Sequence, residues 1–230
     1  MDLLVDGVRR AIGLVLSGDR DVLAILWLSL KVSGLATGIA LLVGIPAGAA
    51  LALTRFPGRT LIVSAVNTGM GLPPVVVGLF VTLLLWRSGP FGALEILYTP
   101  TAIVLAQAVI AAPIVTGITL AAVQNVPAAF RLQLLGLGAS RPQMVWWVLK
   151  EARLPTLAAV MAGFGGVISE IGASMMVGGN IKDQTRTLTT AMVLETGKGN
   201  FDVAIALAVL LLALIFLVNW ILTSLQQRAP

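Results

Sequence analysis

The 230-residue chain is 58% hydrophobic and only 11% charged, with a mean hydropathy of +0.99; soluble globular domains carry about 25% charged residues, so this composition predicts an integral membrane protein. Because the chain has no cysteine and no histidine, disulfides, thiolate metal sites and the usual neutral-pH base are disfavoured. The net charge of +5 does not indicate nucleic-acid binding, because Lys and Arg stand singly between apolar runs.

Residues 1–20 are predicted to form an amphipathic helix at the membrane interface. The segment is too charged to cross a bilayer, yet apolar residues recur at helical spacing at Leu4, Val8, Ile12 and Val15. A signal peptide fits less well, because Asp2 and Asp6 interrupt the positively charged segment that a signal peptide needs.

Residues 21–228 are predicted to form one transmembrane domain. A bilayer core takes about 20 apolar residues as helix, and intervals of sufficient length lie at about 22–53, 60–86, 98–123, 154–178 and 203–226. The expected fold is therefore all-α, with five transmembrane helices and a long loop at 124–153. Pro73–Pro74 and Pro113 are expected to bend two of the spans. Small residues spaced for helix contacts occur at Gly34, Gly38, Gly44 and Gly48.

The charges between the spans predict the orientation. Lys and Arg are retained on the cytoplasmic side of a membrane, but the two sides of this chain carry nearly equal numbers of them. The acidic residues gather on the side of the N-terminus. We therefore expect the N-terminus outside and the C-terminus in the cytoplasm.

The loop at 124–153 has the composition of two short helices. Glycine tolerates a positive φ, so Gly136 and Gly138 can end the first helix. Ser140 can cap the second, and Pro142 falls in its first turn, where the missing N–H costs nothing. Two interpretations stay open: an ordinary connector between spans, or a docking element for a soluble partner.

The loop around Gly138 resembles the cytoplasmic signature of binding-protein-dependent ABC importer permeases, whose usual form is Glu-Ala-Ala, three residues and then Gly. Here Leu132, Gln133 and Leu134 stand at the Glu-Ala-Ala positions. Further matches are LPPVVVGL in the second span, GFGGVISEIGASMMVGGNI in the fourth, and TRTLTTA after it. This order resembles the molybdate, tungstate and sulfate permease group, and GGNI followed by TRTLTTAMVLETGKGNF is most similar to the tungstate permeases.

The resemblance implies a MetI-like permease in the cell (inner) membrane of a bacterium or archaeon. In that family two permease copies form the pore, cytoplasmic ABC ATPase subunits bind ATP and Mg, and an extracytoplasmic binding protein delivers the oxyanion. Besides these partners and membrane lipid, the resemblance implies neither a cofactor nor enzymatic activity for the chain itself. It also implies that the ATPase contacts a coupling segment made of Gly138, Ala139, Ser140, Arg141, Pro142 and Gln143.

Glu170 is the single carboxylate of the fourth span. An ionised carboxylate deep in a span costs about 2.5 to 3.5 kcal/mol, so it requires a partner or a wet cavity. A bare negative charge would repel an oxyanion, which favours a structural or gating role: Glu170 accepts hydrogen bonds or pairs with a cation such as Lys31 or Arg87. A place in the pore wall is the alternative.

A group of polar residues follows the fourth span at Asn180, Lys182, Thr185, Arg186 and Thr187. Hydroxyl, amide and guanidinium donors suit a tetrahedral oxyanion, and Arg can offer two donors at once. Together with Glu170, these residues are the candidates for the translocation path or its gate. The alternative interpretation is a solvated loop.

Other functions stay open. The chain could serve molybdate or sulfate rather than tungstate, or it could be a self-sufficient secondary anion transporter. Secondary transporters often contain inverted repeats, and no convincing repeat is found here. The segment LETGKGN lacks the spacing of a phosphate-binding loop, so ATP is not an expected ligand of this chain.

Overall fold

A computed structural model describes residues 2–228, and every regular element in this range is helical, as the composition predicts. The range contains α1 (Asp2–Leu16), α2 (Arg20–Leu53), α3 (Arg59–Met70), α4 (Pro74–Leu85), a 3-10 turn (Gly92–Leu94), α5 (Pro100–Gln124), α6 (Ala128–Gly136), α7 (Arg141–Glu151), α8 (Arg153–Ile168), α9 (Gly172–Gly178), α10 (Leu188–Gly197) and α11 (Phe201–Arg228).

The helices α2, α5 and α11 are each long and apolar enough to cross a membrane. Two further spans would be bent pairs: α3 with α4, whose axes meet at 102°, and α8 with α9, whose axes meet at 58°. Residues 2–228 therefore contain three to five candidate spans, depending on whether each bent pair crosses as one. The sequence predicts five.

The break between α3 and α4 lies at Pro73–Pro74, as the sequence predicts. Proline has no N–H to donate and its ring clashes with the preceding turn, so α3 ends at Met70 and α4 begins at Pro74. Pro113, by contrast, lies within α5, which continues unbroken to Gln124. Its ring packs against α3, because a Cβ built on Gly69 would lie 2.8 Å from the Cβ of Pro113.

The most extensive helix contact is between α2 and α5. A Cβ built on Gly48 of α2 would lie 2.6 Å from the carbonyl oxygen of Thr116 and 2.8 Å from the Cβ of Thr119. Glycine is therefore required for the two backbones to approach this closely. Gly44 makes a similar approach to Val115, whereas Gly34 has no heavy atom within 4 Å of such a Cβ.

The helix α5 lies at the centre of the bundle. It contacts α2, α3, α8 and α9, and it buries apolar residues such as Ile103 and Val115 together with the polar Gln107. The main apolar core lies between α2, α4, α5, α8 and α9. A second core joins α11 to α8 and α10.

The N-terminal helix α1 packs along α11. Gly7 and Ala11 are buried in this contact, whereas Val8 and Ile12 stay 42% and 55% exposed. The helix thus has one face that packs on protein and an apolar stripe that remains open, which suits contact with lipid. The side chains of Leu4 and Val15 lie outside the described part, and the interfacial position of α1 stays a prediction.

We predict that Gly48→Ala destabilises the protein by about 1 to 3 kcal/mol, because the added methyl group overpacks the α2–α5 contact. Gly34→Ala, in the same helix but with open space around it, is the matched control and is expected to leave stability unchanged or slightly raised. Thermal unfolding of the purified protein in detergent measures both. Equal melting temperatures for the two variants would contradict the close approach of α2 and α5.

Candidate functional site

The side chain of Glu170 lies at the break between α8 and α9 and is only 5% exposed. Its Oε1 accepts a hydrogen bond from the backbone N–H of Ala173 at 2.7 Å. Its Oε2 accepts from the backbone N–H of Ser174 at 3.0 Å and from the Ser174 hydroxyl at 2.9 Å. The carboxylate therefore caps the first turn of α9, where N–H groups have no partner within the helix and where the helix dipole favours negative charge.

A chain of buried side chains extends from this cap to two other helices. The Gln107 amide nitrogen on α5 donates to the Ser174 hydroxyl at 3.3 Å. The Ser33 hydroxyl on α2 donates to the Gln107 amide oxygen at 3.2 Å. Hydrogen bonds between side chains thus link α2, α5 and α9 around Glu170. We call Ser33, Gln107, Glu170 and Ser174 the polar chain.

The start of α10 is attached to the same region. The Thr189 hydroxyl donates to the backbone carbonyl of Glu170 at 3.0 Å. The backbone N–H of Leu188 donates to the Ser29 hydroxyl of α2 at 2.8 Å. Thr187 caps α10 through its hydroxyl. The segment that carries TRTLTT is therefore fixed to the α8–α9 break and to α2.

The sequence allows two kinds of partner for Glu170, hydrogen-bond donors or a cation. The structure contains the hydrogen-bond donors. Within residues 2–228, neither Lys31 nor Arg87 forms an ion pair with this carboxylate. The donors come from Ala173 and Ser174, three and four positions later in the chain. A recognisable sequence signal was present: Glu170 precedes a short Gly-Ala-Ser stretch that begins a new helix.

The polar residues after the fourth span do not form one donor cluster. Thr185 and Thr187 are buried, and the Thr185 hydroxyl donates to the backbone carbonyl of Gly178 at 2.6 Å. These hydroxyls therefore hold the backbone of the loop. Arg186 remains partly exposed and donates from Nε to the Asn180 side-chain oxygen at 3.2 Å, so Asn180 orients the guanidinium.

An ionic cavity of about 640 Å³ lies between α1, α2, α10, α11 and the loop at 182–186. Its cationic lining residues are Arg10, Lys31, Lys182, Arg186 and Lys198. Its acidic lining residues are Asp19, Asp21, Asp183 and Glu195. Sequence reasoning identified Lys182 and Arg186 but missed most of the others, because they come from four separate segments.

Several charges of the ionic cavity are paired. Lys182 Nζ lies 2.8 Å from Asp21 Oδ2, and this hydrogen bond and charge raise the pKa of Lys182. Glu195 accepts hydrogen bonds from Asn200 and Lys198, at 2.7 Å each. These two donors lower the pKa of Glu195. Both groups are therefore ionised at neutral pH.

The opposite end of the molecule carries the hairpin of α6 and α7, which matches the sequence prediction. Gly138 turns the chain with a φ of +85°, a conformation that favours glycine. Ser140 begins α7 with a capping box, in which its N–H donates to the Gln143 side-chain oxygen at 2.8 Å. Pro142 stands in the first turn.

The α6–α7 hairpin presents an exposed apolar surface. Leu132 and Leu137 are 69% and 85% exposed. Of the predicted coupling residues, Ala139 is half-buried, and the exposed ones are Gly138, Ser140, Arg141, Pro142 and Gln143. Large apolar side chains exposed beside a cation are typical of a protein-binding surface.

Comparison with known proteins gives consistent results. A family model described as binding-protein-dependent transport system inner membrane component matches residues 41–229. A Haloferax volcanii protein named "Probable anion ABC transporter permease protein" is 41% identical, covering 88% of this chain and 89% of that protein. The tungstate uptake system permease protein TupB of Peptoclostridium acidaminophilum is 37% identical, covering 99% of this chain and all of that protein.

The fold is also that of a solved transporter. A chain of the MetNI methionine ABC transporter, in an inward-facing conformation, superimposes with a TM-score of 0.73. The match covers 90% of this chain and 94% of the transporter chain, at 20% sequence identity. At this identity the likeness establishes the fold alone.

We predict that Glu170→Gln destabilises the protein by about 1 to 3 kcal/mol. The amide has one oxygen where the carboxylate has two, so its NH₂ group replaces one acceptor and leaves the backbone N–H of either Ala173 or Ser174 unsatisfied. Glu151→Gln, at an exposed position on α7, is the control and is expected to change stability by less than about 0.5 kcal/mol. Thermal unfolding in detergent compares the two, and an unchanged melting temperature for Glu170→Gln would show that the cap does not stabilise the break.

Proposed function

Because this chain belongs to the family of binding-protein-dependent transport system inner membrane components, we propose that it is the pore-forming subunit of an ATP-driven importer for an oxyanion, with tungstate as the anion. The chain is an ABC importer permease of the molybdate, tungstate and sulfate type. The observation that carries the choice of tungstate is the similarity to relatives named as tungstate permeases, at 37% and 34% identity over 99% of this chain.

The proposed assembly contains two copies of this chain in the cell membrane, two ATPase subunits and an extracytoplasmic binding protein. ATP and Mg would bind to the ATPase subunits. We assign the α6–α7 hairpin to the cytoplasm, with the C-terminus, and the N-terminus and the ionic cavity to the outside. The predominance of Lys and Arg over acidic residues in the hairpin region supports this orientation.

The α6–α7 hairpin is the proposed docking element for the ATPase. Its exposed residues Leu132, Leu137 and Pro142 offer apolar surface, and Arg141 offers a charge at the start of α7. The α7 helix ends beside α8, which leads directly to the break at Glu170. A displacement of the hairpin by the ATPase would therefore move the N-terminal end of α8.

Glu170 is assigned a positioning role in this mechanism. Its carboxylate oxygens accept hydrogen bonds from α9 and the side chain is buried, so we assign it to holding the helix start rather than to contact with a transported ion. The polar chain would keep α9 aligned with α2 and α5 while α8 moves. Alternating access would then follow from a motion about the α8–α9 break, in which α9, the start of α10 and α2 move together.

Thr185 and Thr187 are assigned a structural role, because they fix the loop whose cations line the ionic cavity. Thr185 and Thr187 hold the loop that carries Lys182 and Arg186, and Asn180 orients the Arg186 guanidinium. Arg186 and Lys182 then line the ionic cavity, where an incoming oxyanion meets positive charge. Tight binding belongs to the binding protein in this proposal, because a strong site in the path would slow release.

The test of the proposed function is uptake into liposomes that contain the permease with its ATPase and binding protein. We expect ATP-dependent uptake of tungstate at a higher rate than of molybdate or sulfate. Faster uptake of molybdate or sulfate would reassign the anion within the same group. Uptake that proceeds without the ATPase would indicate a secondary transporter and would contradict the importer assignment.

We predict that Arg141→Glu uncouples the ATPase from transport, because the reversed charge repels the groove that accepts α7. Tungstate uptake should fall by about tenfold or more, while the melting temperature of the isolated permease stays unchanged. Arg55→Glu, an exposed charge reversal outside the hairpin, is the matched control and should leave uptake at the wild-type rate. Parallel measurement of ATP hydrolysis and uptake compares the variants, and normal uptake by Arg141→Glu would remove Arg141 from the interface.

A further inference from the structure

Lys31 is the single charged residue between Val22 and Leu53. On α2, the face that packs against α5 contains the buried Val32 and Ser33. Lys31 is exposed and lines the ionic cavity instead. The Glu170 mechanism does not use it, and the side chain requires an explanation of its own.

The position of Lys31 is deep relative to the rim of the ionic cavity. Asp21, Ile25, Leu28 and Lys31 all line the cavity from α2 and recur at helical spacing. Lys31 lies ten positions after Asp21, which corresponds to about 15 Å along the helix axis. Trp27, 67% exposed, stands one turn nearer the rim, where an aromatic side chain suits the membrane–water interface.

No side chain that the structure describes forms an ion pair with Lys31. Arg10 pairs with Asp202, Lys182 with Asp21, and Lys198 with Glu195. Lys31 forms no hydrogen bond or ion pair with any of residues 2–228 that the structure describes. Arg186 is bound through two neutral oxygens of Asn180 and forms no ion pair with a described residue, although its charge acts at longer range on Glu195.

The walls around Lys31 increase the effect of that charge. Apolar side chains line the cavity from three helices at Ile25, Leu28, Ala191, Val203 and Leu207. Apolar walls lower the effective dielectric constant, so an ammonium group attracts an anion more strongly there than in bulk water. Of the four acids of the cavity, Asp21 and Glu195 pair with lysines, which reduces their repulsion of an anion. Asp19 accepts a hydrogen bond from the backbone N–H of Val22, and the charge of Asp183 acts on the adjacent Lys182.

We propose that Lys31, together with Arg186, forms an anion-binding site in the ionic cavity and that its ligand is the transported tetrahedral oxyanion. The ammonium group supplies a point charge with three donors, and the guanidinium supplies paired N–H donors. The phosphate of a phospholipid has the same tetrahedral oxygen chemistry. The ionised rim and the loop at 182–186 favour the free anion, because they give the cavity a polar entrance. This assignment of Lys31 rests on the proposed function.

The absence of cysteine from the chain allows a direct test. Lys31→Cys introduces the one thiol of the permease, and 2-aminoethyl methanethiosulfonate converts it to a side chain with a terminal ammonium. In the reconstituted transporter we expect Lys31→Cys to lower tungstate uptake by about tenfold, as for loss of a charge-assisted hydrogen bond. The aminoethyl reagent should restore uptake, and neutral methyl methanethiosulfonate should not. The wild-type transporter, treated identically, controls for thiols on the partner subunits.

A second measurement identifies the ligand. In detergent free of phospholipid, tungstate should slow modification of Leu28→Cys, which lines the cavity about one turn before Lys31, in a concentration-dependent manner. Adding Lys31→Gln to that variant should abolish the slowing. Leu23→Cys, exposed on the same helix but outside the cavity, is the matched control and should react at a rate independent of tungstate. Slowing that occurs with added phospholipid and not with tungstate would overturn the assignment in favour of a lipid phosphate.

The outcomes for Lys31 are separable from those for the proposed function. If the wild type imports tungstate and Lys31→Cys imports it at the same rate, the proposed site is wrong and the importer assignment stands. Restoration of uptake by the neutral reagent would also overturn it, because charge would then be irrelevant. Failure of the wild type to import any of the three anions would contradict the proposed function, and the detergent measurement would still decide whether Lys31 binds the oxyanion.

Discussion

A helix that breaks inside an apolar bundle must find partners for the N–H groups that the break exposes, and the candidate site depends on how this protein meets that constraint. The axes of α8 and α9 meet at 58°, and an unsatisfied backbone group in hydrocarbon costs several kcal/mol. Glu170 accepts from two of the exposed N–H groups. Gln107 and Ser33 extend the network to α5 and α2. A carboxylate that would be costly in isolation thereby fixes three helices relative to one another.

The same constraint explains why hydroxyl groups of the loop after α9 are buried. Thr185 holds the backbone at Gly178, and Thr189 holds the backbone at Glu170. These bonds join the loop, the break and the start of α10 into one unit. That unit carries Arg186 to the ionic cavity, so a motion of α9 would also move a charge that lines the cavity. The buried network and the cavity therefore share the loop between α9 and α10.

Features caused by contacts between residues close in the chain could be predicted from the sequence, and features caused by contacts between distant residues could not. The turn at Gly138 and the cap at Ser140 were predictable, because a positive φ and a capping box involve residues within three positions of each other. The sequence left two roles open for Glu170, a structural or gating role and a place in the pore wall. The hydrogen-bonded connection from Glu170 through Ser174 to Gln107 could not be predicted from the spacing of these residues. Thr185 was expected to serve as an open donor to an anion, but its hydroxyl satisfies local backbone instead.

The sequence alone determined the membrane class, the helical fold, the break at Pro73–Pro74 and the two-helix hairpin, because hydropathy, proline and capping act over short stretches of chain. The resemblance of its motifs to permeases of the molybdate, tungstate and sulfate group was likewise readable without coordinates. Only the tertiary structure decided which charges are neutralised. Lys182 meets Asp21 across more than 150 residues of chain, whereas Lys31 meets no acid in the described part, and such pairings depend on which helices pack side by side.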